Sequence, residues 1–79
     1  MHELGIAMEI IELASERIGA LKPVKIIVEV GALTAVSPDA LRFAWEVATE
    51  DSPLAGCALE IVELSGQQLQ IRSLVGEAS

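Results

Sequence analysis

The sequence holds one cysteine, one histidine, one tryptophan, one phenylalanine and no tyrosine. A lone Cys57 excludes an internal disulfide and any cysteine-based zinc site built within one chain. Basic residues are also scarce: five Lys and Arg stand against twelve Asp and Glu, a net charge of −7 over 79 residues. Nucleic acid and anionic membrane surfaces call for clustered cations, so neither is expected as a partner. No apolar run approaches the roughly 18–20 residues of a membrane span. His2 and Glu3 stand where a signal peptide would carry its basic start, which points to a cytoplasmic location.

What is present is apolar and patterned. At 52% hydrophobic, the chain has too much to bury for disorder. Its length suits one domain over residues 1–79, without internal repeats or linkers. A domain of this size buries only about 60% of its unfolded surface, which makes self-association, such as a homodimer, an available source of stability.

From Leu4 to about Leu21, Ala7, Ile10, Ile11, Ala14 and Ile18 recur at helical spacing, with Glu9, Glu12 and Glu16 opposite, and Gly19, Lys22 and Pro23 signal the stop. Val24, Ile26, Val28 and Val30 then alternate with Lys25 and Glu29, the pattern of a half-buried strand. A loop over 31–36 leads to a second helix. There Ser37 suits the N-cap, Pro38 the first helical position and Asp39 the positive end of the helix dipole. Leu41, Ala44, Trp45 and Ala48 form its apolar stripe, and Pro53 bounds it. Residues 58–64 and 68–74 alternate again around the turn signal Ser65-Gly66, which predicts an antiparallel hairpin. The expected fold is α/β (α+β): two layers, two helices on one face of a three-stranded mixed sheet, order α-β-α-β-β.

Few groups could carry chemistry. There is no phosphate-binding glycine loop and no Ser-His-Asp set, so an enzyme is the weakest reading. Cys57 reads as a small core residue and Trp45 as part of a helix stripe. His2 differs, because a chain beginning Met-His offers the α-amine, the residue-2 backbone nitrogen and the imidazole Nδ1 as one chelate. Amine and amide close a five-membered ring, amide and imidazole a six-membered one. Such rings suit square-planar Ni(II) or Cu(II) better than tetrahedral Zn(II). The bland reading of His2 is a surface side chain at a frayed terminus.

Met1-His2-Glu3-Leu4, followed by a helix with Ala7 and Glu12, resembles the start of the HypA/HybF family of nickel metallochaperones. The resemblance continues through Val28-Glu29-Val30-Gly31-Ala32-Leu33 and Ser37-Pro38-Asp39-Ala40-Leu41-Arg42-Phe43-Ala44-Trp45-Glu46. It resumes at Leu54-Ala55-Gly56-Cys57-Ala58-Leu59-Glu60-Ile61 and Leu69-Gln70-Ile71-Arg72-Ser73-Leu74, and so covers nearly the whole chain. It implies a non-enzymatic domain that delivers nickel during maturation of nickel–iron hydrogenases. The implied partners are the GTPase HypB, the hydrogenase large subunit and, in some members, urease maturation proteins. It also implies Ni(II) as cargo on Met1, His2 and Glu3: the Met1 amine, the His2 imidazole and backbone nitrogen, and a Glu3 backbone nitrogen or supporting carboxylate. The competing reading is a metal-free interaction domain that docks the GTPase.

There are two departures from the family pattern. Relatives insert a zinc ribbon with two Cys-x-x-Cys pairs between the last two strands. This chain runs through a turn at about 64–67 without those cysteines, so no structural zinc is expected. That excision reads first as an engineered nickel domain and second as a natural minimal paralogue, and a strained turn would invite strand exchange between chains. The second departure is Ala32, where many relatives have a glutamate after the glycine that ends the strand. In some relatives a carboxylate before the second helix approaches the metal. The aligned place here is Ser37, with Asp39 nearby, and neither is assigned as a ligand.

Overall fold

The computed structural model describes residues 3–78. They form α1 (Glu3–Ile18), β1 (Lys22–Gly31), a short 3-10 turn (Ala32–Thr34), α2 (Pro38–Thr49), β2 (Ala58–Leu64) and β3 (Leu69–Glu77). On α1 the buried residues are Ile6, Ala7, Ile10 and Ala14: Ala7, Ile10 and Ala14 belong to the expected stripe, Ile6 joins them, and Ile11 and Ile18 are only half-buried. The helix ends as Gly19 takes a left-handed φ of 60°, a conformation that costs glycine little. Strand β1 buries Ile26, Val28 and Val30 in strict alternation. On α2, Ser37 occupies the N-cap and its hydroxyl accepts from the Ala40 amide at 3.3 Å. That helix turns Leu41, Ala44 and Trp45 inward. Two loop residues, Val36 and Leu54, join the same core. Among the described residues no helix is long and apolar enough to cross a membrane.

The sheet is three-stranded and mixed, as expected, but its order is β2-β1-β3. Strand β1 pairs in parallel with β2, Val28 opposite Ile61, and antiparallel with β3, Val28 opposite Ile71. The predicted β2–β3 hairpin is therefore wrong: the two strands lie on opposite edges with β1 between them. Burial follows the order. Strand β1 carries the run of fully buried residues, whereas β2 and β3 alternate only between half-buried and exposed positions. A central strand is covered on both sides by neighbours, which is why its inward residues are the fully buried ones. The β1–α2–β2 crossover fills one edge of β1 in parallel, which leaves the other edge to β3.

Residues 65–68 must consequently pass over the end of β1 rather than turn back tightly. They do so as a strap held by two backbone bonds. The Gly31 amide donates to the Gln68 carbonyl at 2.7 Å, and the Leu33 amide donates to the Gly66 carbonyl at 2.8 Å. The close passage depends on Gly31 having no side chain. A Cβ there would lie 2.6 Å from the Gly66 carbonyl carbon, 2.8 Å from the Gln68 nitrogen and nearer still to the Gly66 oxygen. Across the outer face, Lys25 pairs with Glu60 at 3.1 Å and the Gln70 amide donates to Glu29 at 2.6 Å, tying β1 to each neighbour.

Both helices run from the Gly31 end of β1 towards its Lys22 end. The first returns directly into β1 through residues 19–21, and the second leaves the far end of β1 to reach the start of β2. Their N-termini thus share one end of the domain, and that placement builds the site.

Candidate metal centre

Two of the three expected ligands, Met1 and His2, lie outside the described residues. The third, Glu3, opens α1. Its carboxylate oxygen Oε2 accepts a hydrogen bond from the Ser37 backbone amide at 3.0 Å. Ser37 is the N-cap of α2, so the bond joins the starts of the two helices. A carboxylate at a helix N-terminus also meets the positive end of that helix's dipole.

The local chemistry of Ser37 explains why it needs this partner. In a capping box the N-cap hydroxyl bonds the N3 amide, while an N3 Glu or Gln reaches back to the N-cap amide. Here the first half is present, Ser37 hydroxyl to Ala40 amide, but N3 is Ala40 itself and cannot reach back. Glu3 supplies the missing acceptor from the other helix.

The approach to Ser37 is held in turn. The Thr34 hydroxyl donates to the Gly31 carbonyl at 2.7 Å and accepts from the Val36 amide at 3.3 Å. Val36 is buried, which anchors the residue just before the N-cap. Ala35 takes a left-handed φ of 58° between them. The chain is thereby fixed from the strap over Gly31 to the amide that holds Glu3.

Asp39, near the site in sequence, is almost wholly exposed and pairs with Arg42 at 3.0 Å. Neither it nor Ser37 is brought into a ligand cluster: among the described residues no three His, Cys, Asp or Glu side chains come together in a way that could hold a metal ion. Trp45 and Cys57 lie in the core as expected, and the Trp45 indole donates to the Cys57 carbonyl at 3.0 Å. Burial strips solvent from the Cys57 thiol and pushes its pKa above the ordinary value, the reverse of what a reactive thiolate needs. The role missed in the sequence is that of the Ser37 amide. Its signal was a helix cap without Glu or Gln at N3, which leaves an amide seeking an acceptor, although nothing local says which acceptor it finds.

Comparison with known proteins identifies the family and the fold. The HypA family, described as hydrogenase/urease nickel incorporation metallochaperones, matches residues 1–74. The chain belongs to that family, whose members are maturation factors rather than enzymes. Among similar proteins, the hydrogenase maturation factor HypA of Desulfosudis oleivorans is 48% identical over 68 residues, covering 81% of this chain and 59% of its own length. The HypA of Nostoc punctiforme is 38% identical over 66 residues, covering 84% of this chain and 58% of its own. The chain thus spans somewhat less than three-fifths of the length of these relatives. The solution structure of the nickel metallochaperone HypA from Helicobacter pylori superposes over 100% of this chain and 100% of its own, with a TM-score of 0.81 at 19% identity. That likeness is one of fold.

Proposed function

We propose that this chain is a nickel-binding metallochaperone domain that holds one Ni(II) on Met1 and His2, with Glu3 as the supporting carboxylate, and passes it to a partner during hydrogenase maturation. Three donors come from two residues: the Met1 amine, the His2 backbone nitrogen and the His2 Nδ1. In a planar site the first and third lie on either side of the second, so the fourth position lies opposite the His2 nitrogen. The Glu3 backbone nitrogen is one peptide unit away and cannot reach that opposite position through a five-membered ring. Glu3 therefore serves through its carboxylate, as an anchor for the terminus, and the fourth position stays exchangeable. An exchangeable position suits a carrier, because a recipient's donor can enter before the chelate lets go.

The observation that carries this reading is the Glu3–Ser37 bond, which docks the residue next to the chelate onto a rigid helix start. The net charge of −7 adds a general attraction for a divalent cation. In this reading the domain works in the cytoplasm, the GTPase HypB and the hydrogenase large subunit are its partners, and urease maturation proteins are further recipients. The zinc ribbon of longer relatives is replaced by residues 65–68, and nickel is held without it.

Calorimetry and visible absorption with Ni(II), on the wild type and on His2→Ala, test the proposal. We expect stoichiometric binding with a square-planar absorption band, both lost in His2→Ala, with unchanged helix content by circular dichroism. No binding by wild-type protein whose free Met1 is verified by mass would sink it.

A further inference from the structure

We propose that the seam between the two helices is a docking surface for an apolar helix flanked by lysine or arginine. One flank of α1 is occupied, since Ile6, Ile10 and Leu13 line a cleft against Leu69 and Ile71 of β3. At about 100° per residue, Leu4, Met8 and Ile11 fall on the other flank, towards α2. On α2, Arg42, Trp45 and Glu46 border the hollow over Ala58 and Leu59 of β2, which turns Ala40 and Val47 towards α1 and Phe43 outward beside them. Both helices start at the Glu3–Ser37 junction and run the same way, so these residues line the same stretch of seam.

The seam is left open. Leu4, Met8, Phe43 and Val47 are 41%, 59%, 69% and 51% exposed. The chain has a single phenylalanine, and it spends that residue on the surface. Exposed large apolar side chains gathered on one face, unlike scattered ones, mark an interaction site.

Charge selects the occupant. Beyond Met8 the outer side of α1 carries Glu12 and Glu16, and beyond Phe43 that of α2 carries Glu46 and Glu50. The basic residue of α2, Arg42, is paired with Asp39. A second copy of the chain would set these acidic margins against each other, each copy with a net charge of −7. A helix with an apolar stripe and basic margins would fill the seam and neutralise its borders. The inference does not use the nickel chelate and holds for the metal-free protein.

The test titrates the isotopically labelled, metal-free chain with two short synthetic helical peptides that share a leucine stripe, one margined with lysine and one with glutamate. The lysine peptide should shift amide signals of residues 4–11 and 40–47, bind more weakly as salt rises, and lose about tenfold or more in affinity for Phe43→Ser/Val47→Ser. That variant keeps every charge, and both positions are exposed. Met8→Gln provides a second variant on the other helix. The glutamate peptide should not bind. Equal affinity of the lysine peptide for wild type and both variants would overturn the proposal, leaving only diffuse charge attraction. A self-association by sedimentation that Phe43→Ser abolishes would also overturn it, because the occupant would then be a second copy.

Discussion

The substitution Gly31→Ala isolates the contact where the strap crosses the end of β1. The usual reason for a required glycine does not apply, because the backbone of Gly31 is extended, with φ −78° and ψ 143°, and any residue adopts it. The cost is therefore steric. The added methyl would stand 2.6 Å from the Gly66 carbonyl carbon and 2.8 Å from the Gln68 nitrogen, and both are backbone atoms that cannot swing aside as a side chain end would. Either the strap lifts or the end of β1 tilts. Overpacking of this kind typically costs about 1–3 kcal/mol. A strap that lifts also loses its hydrogen bonds to Gly31 and Leu33, each worth about 1 kcal/mol net. We expect a total of about 3–5 kcal/mol. Thermal and urea melts followed by circular dichroism read it directly, and at about 4–8 °C per kcal/mol for a domain of this size the midpoint should fall by well over ten degrees. Amide exchange at Gly31 and Leu33 should quicken in the same variant. A loss below about 0.5 kcal/mol, the range of surface substitutions, would show that the strap does not press on β1.

Gly5→Ala gives the opposite sign: Gly5 lies in α1 with nothing within 4 Å of an added Cβ, so the change should stabilise by about 0.5–1 kcal/mol, and a lower melting midpoint would refute this. Trp45→Phe removes the bond to the Cys57 carbonyl and leaves that acceptor buried without the indole, for a loss of about 1–3 kcal/mol in urea melts; a neutral result would mean the carbonyl finds another partner. Burial raises the Cys57 pKa, so the fold favours the neutral thiol. Stability from this group is whole below the unfolded thiol's pKa of about 8.5 and is lost as pH rises through the higher folded value. Wild-type midpoints should therefore fall more steeply than those of Cys57→Ala above that pH, and parallel curves would contradict the burial argument.

The elements were legible in the sequence because each is written in local periodicity. Ala7, Ile10 and Ala14 carry the 3.6-residue period of α1, Ile26, Val28 and Val30 the two-residue period of β1, and Ser37-Pro38-Asp39 the start of α2. Strand order is not a local property. Ser65-Gly66 carries the same turn signal whether the chain reverses into a hairpin or arches over a neighbour, and only the competition for the central position distinguishes the two. Composition does not rank β1 above β2: residues 24–30 and 58–64 each hold five apolar and two charged side chains. Only 69–77, with Gln70, Arg72, Ser73 and Glu77, is more polar, which suits β3 to an edge but leaves the other two strands undecided. Gly31 could not have been singled out from local sequence either, since its constraint comes from residues 35 or more positions away.

The site shows the same division between local and distant causes, and here it bears on function. Ser37 was legible as a helix cap, and its hydroxyl does cap α2. Its amide does something that the cap motif does not encode, holding the carboxylate of Glu3 from the other end of the sequence separation. The segment that presents this amide is fastened at each step: Gln68 and Gly66 of the strap grip Gly31 and Leu33, and Thr34 ties Gly31 to Val36. A displacement of the strap would have to pass through Gly31 and Thr34 to reach Ser37, and from Ser37 to Glu3. The connection between the last two strands is thereby mechanically continuous with the residue next to the proposed chelate. The short 65–68 segment meets a demand that any longer insertion at the same junction would also face: it must leave the two backbone bonds to β1 and its following turn intact if Glu3 is to stay where Ser37 holds it.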